Sequence, residues 1–170
     1  MMQLFILDEV PERAAKMLCD SHLRKMCMET SQILSSVLHR QGRAIPERLP
    51  KFYNLNHPVI RAVDSPEKVC WVIRYNMALH REYFHRFGKR HAYFLFCRIY
   101  RKCFSCHAIP LKKEDLIFAR TFKGIEIREP DIVSAYREYY RFKKKQLRHW
   151  KYTRTPEPDW INENQISKSG

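Results

Sequence analysis

The chain has 170 residues, 45% hydrophobic and 13% aromatic, enough for one buried core and pointing to a single domain. Its four glycines argue against a turn-rich β sandwich or a Rossmann-type nucleotide fold, and no apolar run approaches the roughly 20 residues of a membrane span. The formal net charge of +14 calls for a polyanionic partner, either nucleic acid or an acidic membrane surface, and says nothing about fold.

Residues 3–8, QLFILD, read as a short extended segment. The apolar LFIL is too short for a signal peptide and has no basic residues before it, so a cytoplasmic, reducing location is expected. The six cysteines (19, 27, 70, 97, 103, 106) are then expected as buried thiols. Pro11 suits a first helical turn, and spacings of three and four among Cys19, Leu23, Met26, Ile33, Leu34 and Val37 predict a helix over 11–40, closed by Gly42. Residues 41–63 lack a helical period and contain three prolines, as a functional or disordered loop does.

Ser65 and Pro66 predict the start of a second helix that ends near Gly88. Its buried stripe is Val69, Ile73, Tyr83 and Phe87, with Asn76 and His80 set into the middle. A third helix is predicted over 90–104. An irregular region follows to 128, in which FARTFKGIEI is briefly extended. Pro130-Asp131 opens a fourth helix reaching about Tyr152, and 155–170 form a polar tail loosely held apart from Trp160. The sum is a mainly α, compact single domain over 1–154, of about four helices with a short N-terminal extended segment.

The charge is concentrated. Residues 136–154 carry eight Lys/Arg against Glu138, and residues 81–102 carry seven against Glu82. Both stretches interleave aromatics, including Tyr93, Phe94, Tyr136, Tyr139 and Tyr140. Cations for phosphates beside flat rings for bases form a nucleic-acid footprint. The rings taken singly fit a core equally well. They fall on several faces rather than one, which disfavours a membrane-surface role.

Three constellations carry possible chemistry. Cys97, Cys103, Cys106 and His107 lie in CRIYRKCFSCH, where Cys103-x-x-Cys106 has metal-ligand spacing but lacks a second pair; free thiols are the simpler reading. Asn56-His57-Pro58 closes the long loop and suits either a phosphate contact or a turn fixed by side-chain hydrogen bonds. On the first helix, Leu18, His22, Lys25, Glu29 and Ser36 line one flank of the apolar stripe. A carboxylate desolvated at such a border can exchange protons near neutral pH, whereas Lys25 one turn away favours the anion. A simple ion pair closing the core edge is the alternative.

LCDSHL (18–23), followed six residues later by Glu29, resembles the first helix of the phage pyrimidine-dimer DNA glycosylases (endonuclease V), in which a leucine, an aspartate and a histidine precede the catalytic glutamate at the same intervals. The second helix, from HPV (57–59) to RFGK (86–89), is similar in length and texture, and HWKYTR is similar to the family's aromatic-basic C-terminal stretch. The FILD, CDSH, KM and NHP pieces also resemble related uncharacterised phage proteins.

The resemblance implies a compact α domain that binds double-stranded DNA and displaces a base. Its N-terminal amine attacks C1′, a Schiff base forms, and β-elimination cuts the strand, without metal or other cofactor. It places Glu29 as the proton-managing glutamate and His22 as the helix histidine. Two positions depart from the family pattern. Met1-Met2 opens the chain where the family exposes a small residue, which puts the amine on Met1, and Met28 and Gln32 stand where arginines flank the family glutamate. Lys25 offers a cation or a substitute amine.

The expected function is therefore a DNA glycosylase/AP lyase acting on damaged or modified pyrimidine nucleotides. Glu29, His22, Lys25 and Met1 form the site. Nucleic acid would be gripped by Asn56, His57, Arg86, Lys89, Arg90, Arg137, Arg141, Lys144, Lys145, Arg148, Trp150, Lys151 and Tyr152. The rival readings are a non-catalytic DNA- or RNA-binding protein and an enzyme that modifies bases in phage DNA.

Overall fold

The computed structural model describes residues 2–43, 46–50, 54–104, 114 and 116–162. The described residues are mainly α, with six α-helices and no strand. These are α1 (Pro11–Lys16), α2 (Asp20–Arg40), α3 (Pro58–Arg61), α4 (Pro66–Phe87), α5 (Phe96–Cys103) and α6 (Ile132–Gln146). α4 packs against α1 and α2, and α5 packs against both α2 and α4. None of the described helices is long and apolar enough to cross a membrane.

α4 follows its sequence signals closely. The Ser65 hydroxyl accepts the Lys68 N–H, Pro66 occupies the first turn, and Gly88 ends the helix in the left-handed region at φ 66°. α6 starts where predicted, with the Asp131 carboxylate accepting the Ser134 N–H. His57 caps α3 by accepting the Val59 N–H, which puts a one-turn helix inside the stretch read as loop. The predicted 90–104 helix is a 3-10 turn (Ala92–Leu95) followed by α5.

The first helix is not continuous. It breaks at Met17–Cys19, where Cys19 turns extended (φ −67°, ψ 161°) and α2 restarts at Asp20. Neither glycine nor proline marks the break; long-range hydrogen bonds hold it. The Cys19 N–H donates to the Tyr140 hydroxyl at 2.8 Å, and the Asp20 N–H donates to the Lys151 carbonyl at 2.8 Å. Two of the donors that every helix start leaves unsatisfied are thus met by the far end of the chain.

The same contacts explain why α6 stops at Gln146 rather than near Tyr152. Residues 147–155 leave the helix and lie over the α1–α2 junction, where the Thr153 N–H and hydroxyl both bind the Asp20 carboxylate. The Tyr152 hydroxyl donates to the Met17 carbonyl. As far as residue 162 the tail is also held more firmly than expected: Thr155 donates to Glu82, Glu157 accepts from Lys144 and Trp150, and Ile161 is buried, while 163–170 lie outside the described residues.

Residues 2–8 are buried throughout. They form no ladder, so their backbone groups find partners elsewhere, as buried backbone must. The Leu7 carbonyl accepts from Arg137, and the Gln3 N–H goes to Glu29. Phe5 packs against the rings of His22, Tyr139 and Tyr140. The predicted extended stretch at 118–127 is irregular. It passes beside Phe142 at Gly124 (φ 84°), where a β-carbon would lie 3.4 Å from the ring.

Among the described residues Cys19, Cys27 and Cys97 are buried free thiols and Cys103 is a half-buried one. The all-thiol expectation is corrected at Cys70, which is in a disulfide; spacing along the chain does not reveal which thiols the fold brings together. Cys106 and His107 lie outside the described residues.

Candidate functional site

Glu29 sits on α2, 5% exposed, between two donors from different parts of the chain. Its Oε2 accepts the backbone N–H of Gln3 at 3.2 Å, and its Oε1 pairs with Lys25 Nζ, one turn earlier on α2, at 3.3 Å. Burial raises the pKa of this carboxyl; the Lys25 charge and the Gln3 N–H oppose the rise without cancelling it. A carboxyl so placed holds its proton more readily than a surface glutamate and keeps hydrogen-bond partners in both states.

His22 lies almost two turns before Glu29 on the same helix, 6% exposed. Its Nδ1 is 3.0 Å from the Tyr140 hydroxyl, which also accepts the Cys19 N–H. Both contacts are satisfied when Tyr140 donates to Nδ1, which puts the proton of the neutral ring on Nε2. Burial, with the nearby Lys25 and Lys143 charges, lowers the His22 pKa to about 4, so the ring is neutral across the physiological range. Phe5 and Trp150 flank it.

Above these groups opens a cleft of about 600 Å³, lined by Gln3, Ser21, His22, Lys25, Lys123, Tyr139 and Lys143 among others. Three lysines from three segments (α2, the 118–127 stretch and α6) ring it. Glu29 does not line the cleft but is bonded to two residues that do, Gln3 and Lys25. The structure thus joins Glu29, Lys25 and His22 around one opening and adds Gln3, Lys123, Lys143 and the Tyr139–Tyr140 pair. Gln3 escapes sequence reading because it acts through its backbone. Lys123 gives no signal at all, lying alone in an irregular stretch. Met1 lies outside the described residues.

The basic residues expected to hold nucleic acid divide sharply. Arg86 needs correction. It is 1% exposed, and its guanidinium binds Glu82 at 2.8 Å, Asp20 at 3.0 Å and the carbonyls of Leu18 and Lys16. A guanidinium enclosed in this way caps the end of α1 and cannot meet a phosphate. Against its own burial, hydrogen bonds from Thr153 and Arg86 hold the Asp20 carboxyl below its ordinary pKa.

Arg141 donates twice to the Trp160 carbonyl, Arg137 donates to the Leu7 carbonyl, and Lys144 pairs with Glu157. Trp150 and Tyr152 likewise bond inward. Lys89, Arg90, Lys145, Arg148 and Lys151 are exposed, with Arg90 lying over the Phe94 ring. Asn56 is exposed in a turn beside the half-buried His57.

A family model described as pyrimidine dimer DNA glycosylase matches residues 2–94, which include Gln3, His22, Lys25 and Glu29. No curated protein and no solved structure matches the chain.

Proposed function

Since the chain belongs to the pyrimidine dimer DNA glycosylase family, we propose that it is a DNA glycosylase/AP lyase acting on damaged or modified pyrimidine nucleotides through a Schiff base. The observation that carries this reading is a buried Glu29, its pKa raised by burial, tied directly to the N-terminal segment beneath a lysine-ringed cleft. The Gln3 N–H bond brings the N-terminal segment to Glu29, which makes an N-terminal α-amine the proposed nucleophile. At pH 7 roughly a tenth of an α-amine is neutral and nucleophilic, far more than of an ammonium side chain of ordinary pKa.

In the proposed reaction the amine nitrogen bonds to C1′ as the C1′–N bond of the base breaks, and the departing base takes the proton that the attacking nitrogen gives up. Glu29 gives a proton to the ring oxygen as the sugar opens to the imine. It then accepts one from C2′ as the C3′–O bond to phosphate breaks. Both steps need a carboxyl that changes protonation state near working pH. Neutral His22 shapes the wall of the cleft and offers Nε2–H as a donor. Lys25, Lys123 and Lys143 hold the phosphates flanking a displaced nucleotide, with the exposed Lys145, Arg148 and Lys151 extending the grip. Double-stranded DNA is the proposed partner.

Borohydride trapping on duplex DNA with an abasic site tests the reading, together with the intact mass of the purified protein. A covalent adduct is expected, retained in Lys25→Met and mapping by mass spectrometry to the first residue. An adduct on Lys25 would transfer the nucleophile to α2. Salt-dependent binding without any adduct would favour the non-catalytic reading.

A further inference from the structure

Apart from the cleft, a second cluster of reactive side chains is buried between α2 and α4. Cys27 on α2, His80 on α4 and His91 in the turn after Gly88 bring one ligand atom each within 4.8 Å of one another. His80 is 1% exposed, and among the described residues neither of its ring nitrogens has a hydrogen-bond partner. A buried imidazole with no partner is costly, because two polar nitrogens have lost water for nothing in return. We propose that Cys27, His80 and His91 form a binding site for a zinc-class divalent cation.

The donor set suits that ion. One thiolate and two imidazoles are the sulfur and nitrogen ligands that zinc prefers, and three protein ligands leave a fourth position for water beside the half-buried His91. Burial and the neighbouring His91 lower the His80 pKa to about 4, so its ring is neutral and its lone pair available at pH 7. Burial pushes the Cys27 thiol up. The cation therefore displaces the thiol proton to solvent as the metal–sulfur bond forms, and binding tightens with pH. His91 Nδ1 now accepts the Tyr93 N–H at 3.3 Å; that long contact gives way on coordination through either nitrogen. The rings of Tyr83 and Phe94 wall the cluster.

The fold explains why these residues meet. His80 follows Asn76 by one turn on the face of α4 that meets α2, where Asn76 binds Thr30 and Ser31. The left-handed Gly88 then redirects the chain so that the His91 ring comes within 5.6 Å of His80. A bound cation would fasten α2, α4 and the turn together.

Cobalt(II) titrated under nitrogen into the full-length protein, its Cys70 disulfide intact, tests the site, and its spectrum is independent of any action on DNA. One equivalent is expected to bind with a thiolate-to-cobalt charge-transfer band, to be displaced by zinc, and to release one proton. Cys27→Ser should abolish the band. His91→Ala, which disturbs the core least, should weaken binding by about tenfold or more. The absence of a stoichiometric band in the wild type, or a band unchanged in both variants, would overturn the proposal.

Discussion

The backbone N–H of Gln3 lies 3.2 Å from Glu29 Oε2, joining the first residues of the chain to the carboxyl most buried among the lysines. That donor is a backbone group, lost only if proline replaces Gln3, and a glutamine at 29 would still accept from it. Glu29→Gln should therefore keep the fold while lowering strand cleavage by about 10²-fold or more. The sign of its stability effect follows from the raised pKa. Below the ordinary value of 4.5 both side chains are neutral and the two proteins are equally stable. As pH rises through the elevated folded-state pKa, only the glutamate acquires a buried charge, so the glutamine variant becomes the more stable one. Urea denaturation at pH 4 and pH 8 measures this; a glutamine variant that is weaker at pH 8 would contradict it.

Lys25 holds the Glu29 pKa down, by its charge and by its hydrogen bond. Lys25→Met should move the Glu29 inflection in the pH profile of kcat/KM to higher pH. The shift should be modest, since the lysine side chain is 42% exposed and partly screened. An inflection that stays in place would separate the ion pair from the chemistry.

Arginine 86 and the exposed cations of the C-terminal region should behave oppositely. Arg86→Met strands Glu82 and Asp20 in the interior and should cost about 3–5 kcal/mol of stability. In contrast, Lys145→Ala, Arg148→Ala and Lys151→Ala should each change stability by no more than about 0.5 kcal/mol. Each should flatten the salt dependence of DNA binding by about 0.9 in log–log slope. Thermal melts and binding isotherms at several salt concentrations distinguish the two classes.

His22 and His80 both have folded-state pKa values of about 4, below the ordinary 6.5. Their contribution is present above pH 6.5 and is lost as pH falls toward 4, because the unfolded chain takes up protons that the folded chain refuses. Metal-free protein should lose about 1.4 kcal/mol per pH unit for each histidine in that window. His22→Gln should remove one such increment, as read from urea midpoints between pH 4 and 6.5.

Much of the fold was legible because local chemistry and burial agree. Ser65, Pro66 and Gly88 bracket α4, and Asp131 starts α6, each through contacts within a turn. The break at Met17–Cys19 was not legible: its cause is Tyr140 and Lys151, more than a hundred residues away. The early end of α6 is the other half of that same exchange. In the site, Glu29, Lys25 and His22 share a flank that helical spacing reveals, whereas Gln3 acts through its backbone and Lys123 arrives by tertiary folding alone. Arg86 shows the limit of counting charges, since a buried guanidinium and a phosphate-binding one are written with the same letter.

The family match ends at residue 94, yet the Asp20–Arg86 cluster takes Thr153 and Thr155 as partners, and His22 takes Tyr140. The stretch that carries the ancestry is therefore not a portable module. Cut at residue 94, it would lose the tyrosine that holds its histidine and the threonines that close over its buried arginine. Any shuffling of this region between proteins would have to bring its own C-terminal clasp.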